Sequence, residues 1–141
     1  MNKRSVAIII PYYTEENEFF VFLQKRSADA ERLPNYYGFF GGGIEEGESP
    51  EDGLKREVKE ELSIENIEYE LFCHYEFYGN ICDVYTTKVE KGFDNQITIR
   101  EGEYGKFFTE KEVQNEKYLI LQDKLILQNF FGKILRDNPF V

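Results

Sequence analysis

The chain is short of four things, and each shortage removes a class of function. It is short of bases: 17 Lys and Arg stand against 27 Asp and Glu, a net charge of −10. A surface that holds nucleic acid in general, or an anionic membrane, needs clustered positive charge, so neither partner is expected. It is short of cysteine, with only Cys73 and Cys82. These flank a possible hairpin, but without an export signal they read as buried thiols and not as a disulfide. It has no run approaching the roughly 18 apolar residues that cross a bilayer. The apolar stretch after Met1-Asn2-Lys3-Arg4 is too brief for a signal peptide and no small-residue cleavage site follows it, so a cytoplasmic location is expected. Finally it has one histidine, His74, which stands alone in a strand-like stretch and reads as a packing or surface group. Repeats, low-complexity tracts and linkers are also missing.

What is present suits a small enzyme. At 141 residues, 41% of them hydrophobic, the chain is long enough for one domain around a single core. Strands are predicted over residues 5–13 and 18–26, joined by a polar turn at 14–17. A polar loop follows at 27–35, then a short strand within 36–45 that runs into Gly41-Gly42-Gly43. After a helix over 50–62, β-rich segments 66–78 and 81–90 meet at Gly79-Asn80, a tight hairpin signal. Residues 91–95 form a turn. Short strands at 96–100 and 106–109 then flank a loop at 101–105. Thr109 caps a short helix to about residue 115. Asp123 opens a last helix whose Leu125, Ile126, Phe130, Ile134 and Leu135 face the core. This order predicts an α/β fold with a mixed sheet between helices.

The helix at 50–62 carries the chemistry. Ser49 can cap it, Pro50 suits its first position, and Glu51 and Asp52 favour the positive end of its dipole. At about 100° per residue Leu54, Val58 and Leu62 make one apolar stripe. Glu61 falls at the edge of that stripe, Glu57 further round and Glu60 beyond it, while Lys55, Arg56 and Lys59 lie mainly on the other side. Three carboxylates are thus expected together with no base between them. Like charges at this spacing oppose one another, and hard oxygen donors of this charge suit Mg²⁺ or Mn²⁺. A solvated acidic face is the plainer alternative, and the position of the carboxylates beside the apolar stripe argues against it.

The segment resembles the Nudix box of the Nudix hydrolases. Gly42, Glu48, Arg56, Glu57, Val58, Glu60, Glu61 and Ile64 match eight of nine defining positions; the ninth, normally Gly, is Ser63. Average residue usage puts a chance match of this quality on the order of one in ten thousand. Ser63 falls where Gly would serve a left-handed cap, so the departure is expected to touch stability more than activity. The approach to the box (Lys25 to Ala30, then Tyr37 to Gly42) and Tyr75-Glu76-Phe77 after it look like MutT-type members. Phe40 stands where those commonly have Pro, and is expected to alter the wall of the substrate cleft. The Pro found some fifteen residues beyond the box in ADP-ribose-type members has no counterpart in Tyr78-Gly79-Asn80.

The resemblance implies an α/β/α sandwich and a metal-dependent hydrolase of diphosphate linkages. It makes Glu57, Glu60 and Glu61 metal ligands, with the Gly42 carbonyl as a further one and Glu57 a candidate general base. Glu48 and Arg56 become a structural ion pair. Glu101, with Glu103 second, becomes the late-loop carboxylate that joins the metal. Arg26 and Phe39 match positions near the nucleoside, and Phe77, Tyr78 and Gln122 are weaker candidates. Tyr36 and Tyr37 could stack on a base or cover the core edge. The expected reaction turns a nucleoside triphosphate into its monophosphate and pyrophosphate. A nucleotide sugar or dinucleoside polyphosphate is the alternative substrate, and a silent nucleotide-sensing module the alternative class. A monomer or homodimer is expected.

Overall fold

Val6-Ala7-Ile8-Ile9-Ile10 is rich in β-branched side chains, which suit a pleated strand buried on both faces. It forms the middle of β1 (Arg4–Glu15), the strand around which the sheet is organised. The computed structural model describes residues 4–77, 79–100 and 102–137. Along one side β1 pairs in parallel with β6 (Asn80–Lys88), from Arg4 opposite Asn80 to Tyr12 opposite Lys88. Its other side is shared by two antiparallel partners. β2 (Glu18–Lys25) takes the end at Tyr12–Glu15, and β4 (Phe40–Gly43) takes Val6–Ile9. β3 (Tyr37–Gly38) and β7 (Tyr104–Thr109) both pair with β2, and β5 (Glu70–Phe77) closes the far edge beside β6. The seven described strands make one mixed sheet.

Because side chains alternate along a strand, β1 supplies two cores. Ala7 and Ile9 pack with Phe22, Phe40 and Tyr85 under Leu54, Val58 and Leu62 of α1 (Pro50–Leu62). Ile8 and Ile10 pack with Val21, Leu23 and Val84 under α2 (Glu110–Asn115) and α3 (Leu121–Asp137), through Val113, Ile126, Leu127 and Phe130. Helices on both faces of a mixed sheet give the α/β/α sandwich.

Local chemistry explains the helix ends. Ser49 accepts from the Asp52 N–H at 3.1 Å, and Thr109 and Glu112 form a reciprocal capping box. At the other end of α1, Ser63 holds the left-handed conformation (φ 60°) that glycine would adopt more cheaply.

Several expected elements differ. Residues 96–100 form no strand: the Arg100 N–H donates to the Glu61 carbonyl at 2.8 Å, so this segment is tied to the end of α1. β5 begins at Glu70, after a left-handed Asn66, and the 36–45 segment divides into two short strands. α3 starts two residues before Asp123, whose carboxyl is used elsewhere, and Leu125 lies 48% exposed on its outer face. The side chains of Ile134 and Leu135 lie outside what is described. Phe40 does not line a cleft. It is buried under α1 and stacks on Phe22 at 5.4 Å. Cys73 and Cys82 are free thiols, and burial pushes that of Cys82 up to about 12.

Candidate active site

α1 and the glycine turn of β4 meet through Arg56. Its Nε and Nη2 donate to the two carboxylate oxygens of Glu48 at 2.9 and 3.0 Å, the fork-on-fork geometry that suits guanidinium and carboxylate. Nη2 also donates to the Gly43 carbonyl at 2.9 Å, so one side chain joins the helix, the loop before it and the end of β4. The Arg56 hydrogen bonds hold the Glu48 carboxyl below the ordinary carboxylate range, and Glu48 in turn raises Arg56.

Nη1 reaches further, to Glu57 at 2.9 Å and Glu60 at 3.4 Å. The expectation of three carboxylates with no base between them therefore fails. Angular position on a helix describes where a side chain starts, and the long arginine stem carries its charge across to the acidic side. Glu61 lies deeper than its neighbours at 2% exposure, and its Oε2 accepts from the Gly41 N–H at 3.3 Å. Among the described residues no three His, Cys, Asp or Glu side chains are gathered closely enough to hold a metal ion between them.

Glu57 and Glu60 line a cleft of about 550 Å³ whose floor is Gly41-Gly42-Gly43. Its other wall is basic, with Arg4, Arg26 and Arg32. The cleft adjoins a cavity of about 230 Å³ on the α3-covered side of β1, lined by Phe39, Gln122, Asp123, Cys82 and Gln24 among others. Arg4, Arg26, Gly41, Gly42 and Ile120 line both spaces and mark the neck between them. A recess of about 590 Å³ lies behind α1, between Lys55, Lys59 and Tyr69. It holds none of the three box carboxylates and no part of the glycine turn.

The structure thus brings together Arg26, Phe39, Gly42, Glu57, Glu60 and Gln122 around one pair of adjoining spaces, with Glu61 buried beside Gly41. Glu101 and Tyr78 lie outside the described residues, as does the Phe77 side chain. Glu103 accepts from the Ala28 N–H at 3.3 Å and so is turned towards the loop after β2. Tyr36 packs edge-on against Tyr118, and Tyr37 is buried with its hydroxyl 2.8 Å from that of Tyr104. His74 pairs with Asp83 at 2.7 Å.

Sequence reasoning missed Arg4, Arg32 and Asp123. As a residue Asp123 is only half-buried, but its carboxyl end is packed inward and Oδ2 accepts from the Phe39 N–H at 3.1 Å. Burial pushes this acid up to about 6, against the opposing pull of that N–H and of Arg26. The register of the final helix offered no local signal for it.

A carboxylate-bearing helix thus meets a glycine turn, with three arginines lining the same cleft and a cavity beside it. The NUDIX domain family matches residues 1–130, and the chain belongs to that family. It is 33% identical over 111 residues to the 8-oxo-dGTP diphosphatase of Escherichia coli K12, covering 77% of this chain and 82% of that one. A 64-residue stretch is 41% identical to the RNA pyrophosphohydrolase of Sulfurovum sp. NBC37-1, covering 45% of this chain and 37% of that one. Among solved structures, a MutT described from Aliivibrio salmonicida and Vibrio cholerae matches with TM-score 0.69 and 25% identity, over 90% of this chain and 96% of that one. A mutT/nudix protein of Listeria innocua matches with TM-score 0.77 and 17% identity over 100% and 99%, and shows the shared fold. The chain is a MutT-like Nudix pyrophosphohydrolase. No described helix is long and apolar enough to cross a membrane.

Proposed function

We propose that this enzyme hydrolyses a nucleoside triphosphate to the monophosphate and pyrophosphate, with Mg²⁺, or Mn²⁺ in its place. The observation that carries the reading is the pair of adjoining spaces: a cleft lined by acids and bases, sharing five residues with a cavity that has aromatic, amide and carboxyl groups. Such a shape fits a molecule with a polyanionic end and a flat hydrogen-bonding end. Two relatives, an 8-oxo-dGTP diphosphatase and a dihydroneopterin triphosphate diphosphatase of Escherichia coli K12, are named for action on triphosphates.

The donors fit a hard divalent cation, because Glu57, Glu60 and Glu61 offer only carboxylate oxygens and the Gly42 carbonyl adds another of the same kind. When bound, the metal neutralises phosphate charge and lowers the pKa of a water. Glu57 and Glu60, which line the cleft, and Glu61, whose Oε2 accepts from the Gly41 N–H, would hold it. Glu57, drawn aside by Arg56, is the candidate general base. Arg26 faces the phosphates, and Phe39 and Gln122 face the base. Phe77 is a weaker candidate for contact with the base. Glu101 is proposed as the late-loop ligand, in a loop whose Arg100 N–H already donates to α1.

The test is a hydrolysis screen over nucleoside triphosphates, nucleotide sugars and dinucleoside polyphosphates with Mg²⁺, with products identified. Monophosphate and pyrophosphate from one or more triphosphates is the expected result, with Glu57→Gln and Glu60→Gln nearly inactive. Cleavage confined to sugar or dinucleoside substrates overturns the substrate reading, and no cleavage of any class leaves a silent sensor.

A further inference from the structure

The resemblance and the box leave Arg4 without a role, and the structure places it at the neck. Alternation along β1 puts Arg4, Val6 and Ile8 on one face, and all three line the cavity on the α3 side. Arg4 also lines the carboxylate cleft, together with Glu57 and Glu60. Its guanidinium lies over the backbone of Gly43: a β-carbon built there would be 3.6 Å from Nη2 and 3.7 Å from Nε. In a chain with ten more acids than bases, the Arg4 side chain has no ion pair or hydrogen bond among the described residues. The neighbouring Arg26 is already braced, its Nε donating to the Arg32 carbonyl at 3.0 Å. Two guanidiniums, one from the start of β1 and one from the residue after β2, therefore line both the cavity and the cleft.

We infer that Arg4 binds the phosphate ester-linked to the nucleoside, the one that leaves with the monophosphate product. The inference rests on the triphosphate reading. With the base in the cavity and the outer phosphates on the carboxylate wall, the inner phosphate falls at the neck. There a free planar fork can take two of its oxygens.

Arg4→Ala and Arg4→Lys separate this role from a structural one. Binding of AMP, GMP, CMP and UMP, and of inorganic pyrophosphate, is measured by calorimetry at saturating Mg²⁺ for the wild type and both variants. Melting curves and triphosphate hydrolysis are recorded alongside. Arg4→Ala should weaken the best-bound monophosphate by roughly tenfold or more. Pyrophosphate should stay within about twofold and Arg4→Lys should be intermediate. Melting temperatures should be unchanged, because Arg4 is exposed. The inference is overturned if monophosphate and pyrophosphate weaken equally, if neither changes, or if no monophosphate binds the wild type. If the binding pattern holds while no triphosphate is hydrolysed, Arg4 keeps its role and the proposed reaction falls.

Discussion

The carboxyl group of Glu57 lies against the α-carbon of Gly42, so that a β-carbon on residue 42 would stand 2.7 Å from its Cδ and Oε1. Glycine is needed there for room. At Gly41 it is needed for conformation as well, since the backbone has φ 135° and a β-carbon would strike the Ala7 carbonyl and the Ile8 α-carbon. Two adjacent glycines thus do different things: one shapes the strand turn and the other seats a carboxylate.

Substitution should tell them apart. In Gly42→Ala the collision is with the end of a flexible side chain, which can swing away, so stability should change by about 1 kcal/mol or less. The displaced Glu57 should cost activity of the order of a hundredfold, because a carboxylate misplaced by about 1 Å misaligns the reacting groups. Gly41→Ala collides with backbone in a strained region and should lose roughly 3 kcal/mol. Chemical denaturation and kcat measured on both variants check this; the reverse pattern would reassign the two glycines.

Arg56 has a stability role and a site role, and pH separates them. Because Arg56 lowers the Glu48 pKa, the pair's contribution is present above the ordinary glutamate range and is lost as pH falls through the depressed value. Glu48→Gln should therefore melt lower than the wild type at pH 7, with the gap closing as the medium becomes strongly acid. Arg56→Lys keeps one charge but cannot bridge Glu48, the Gly43 carbonyl, Glu57 and Glu60 together. It should lose at least roughly tenfold in kcat even at pH 8, where its fold is intact. A Lys variant with normal turnover would confine Arg56 to the structural role.

What was legible in the sequence was whatever depends on local spacing. Ser49 and Pro50 marked the helix start, and Leu54, Val58 and Leu62 marked its buried face because 3.6-residue periodicity is a local property. Arg56 was placed on the wrong side because the wheel follows α-carbons and its guanidinium acts some distance away. Residues 96–100 have strand-like composition, but their hydrogen bonding is decided by the carbonyl of Glu61, far off in sequence. Phe40 is expected at the cleft wall because it stands where MutT-type members commonly have Pro; alternation instead sends it under α1, onto Phe22. Asp123 resembled a helix cap, and only the tertiary approach of Phe39 shows that its carboxyl turns inward.

Ser63 offers a test of the one departure from the box. Its left-handed backbone is strained for a residue with a β-carbon, yet Oγ accepts from Arg100 Nε at 2.7 Å and donates to the Thr98 carbonyl at 3.3 Å. Ser63→Gly relieves roughly 1 kcal/mol of strain and loses hydrogen bonds worth about as much, so its stability should match the wild type. Ser63→Ala keeps the strain and loses the bonds, and should be destabilised by about 1 kcal/mol. Equal stability of the Ala variant and the wild type would show that the serine hydroxyl contributes nothing to the 98–100 segment.

Asp123 should make the protein's stability fall with rising pH across a range where most carboxylates do the opposite. Its acid is raised from an ordinary 3.8 to about 6 by burial, so between those values the folded state holds a proton that the unfolded chain releases. The contribution is complete below about pH 4 and is lost as pH climbs through 6. Above that, folding must keep an ionised carboxylate in the cavity wall, helped only by the Phe39 N–H and by Arg26. In an Asp123→Asn variant the side-chain amide still accepts from the Phe39 N–H but carries no charge. The variant's melting temperature relative to wild type should therefore climb from about pH 4 to about pH 7 and then level off. Parallel curves over that interval would mean that the carboxyl ionises as freely in the folded protein as in the unfolded chain. A bound nucleotide whose base donates hydrogen bonds to this carboxylate should flatten the same curve, because its donors would stabilise the ionised carboxylate in the complex.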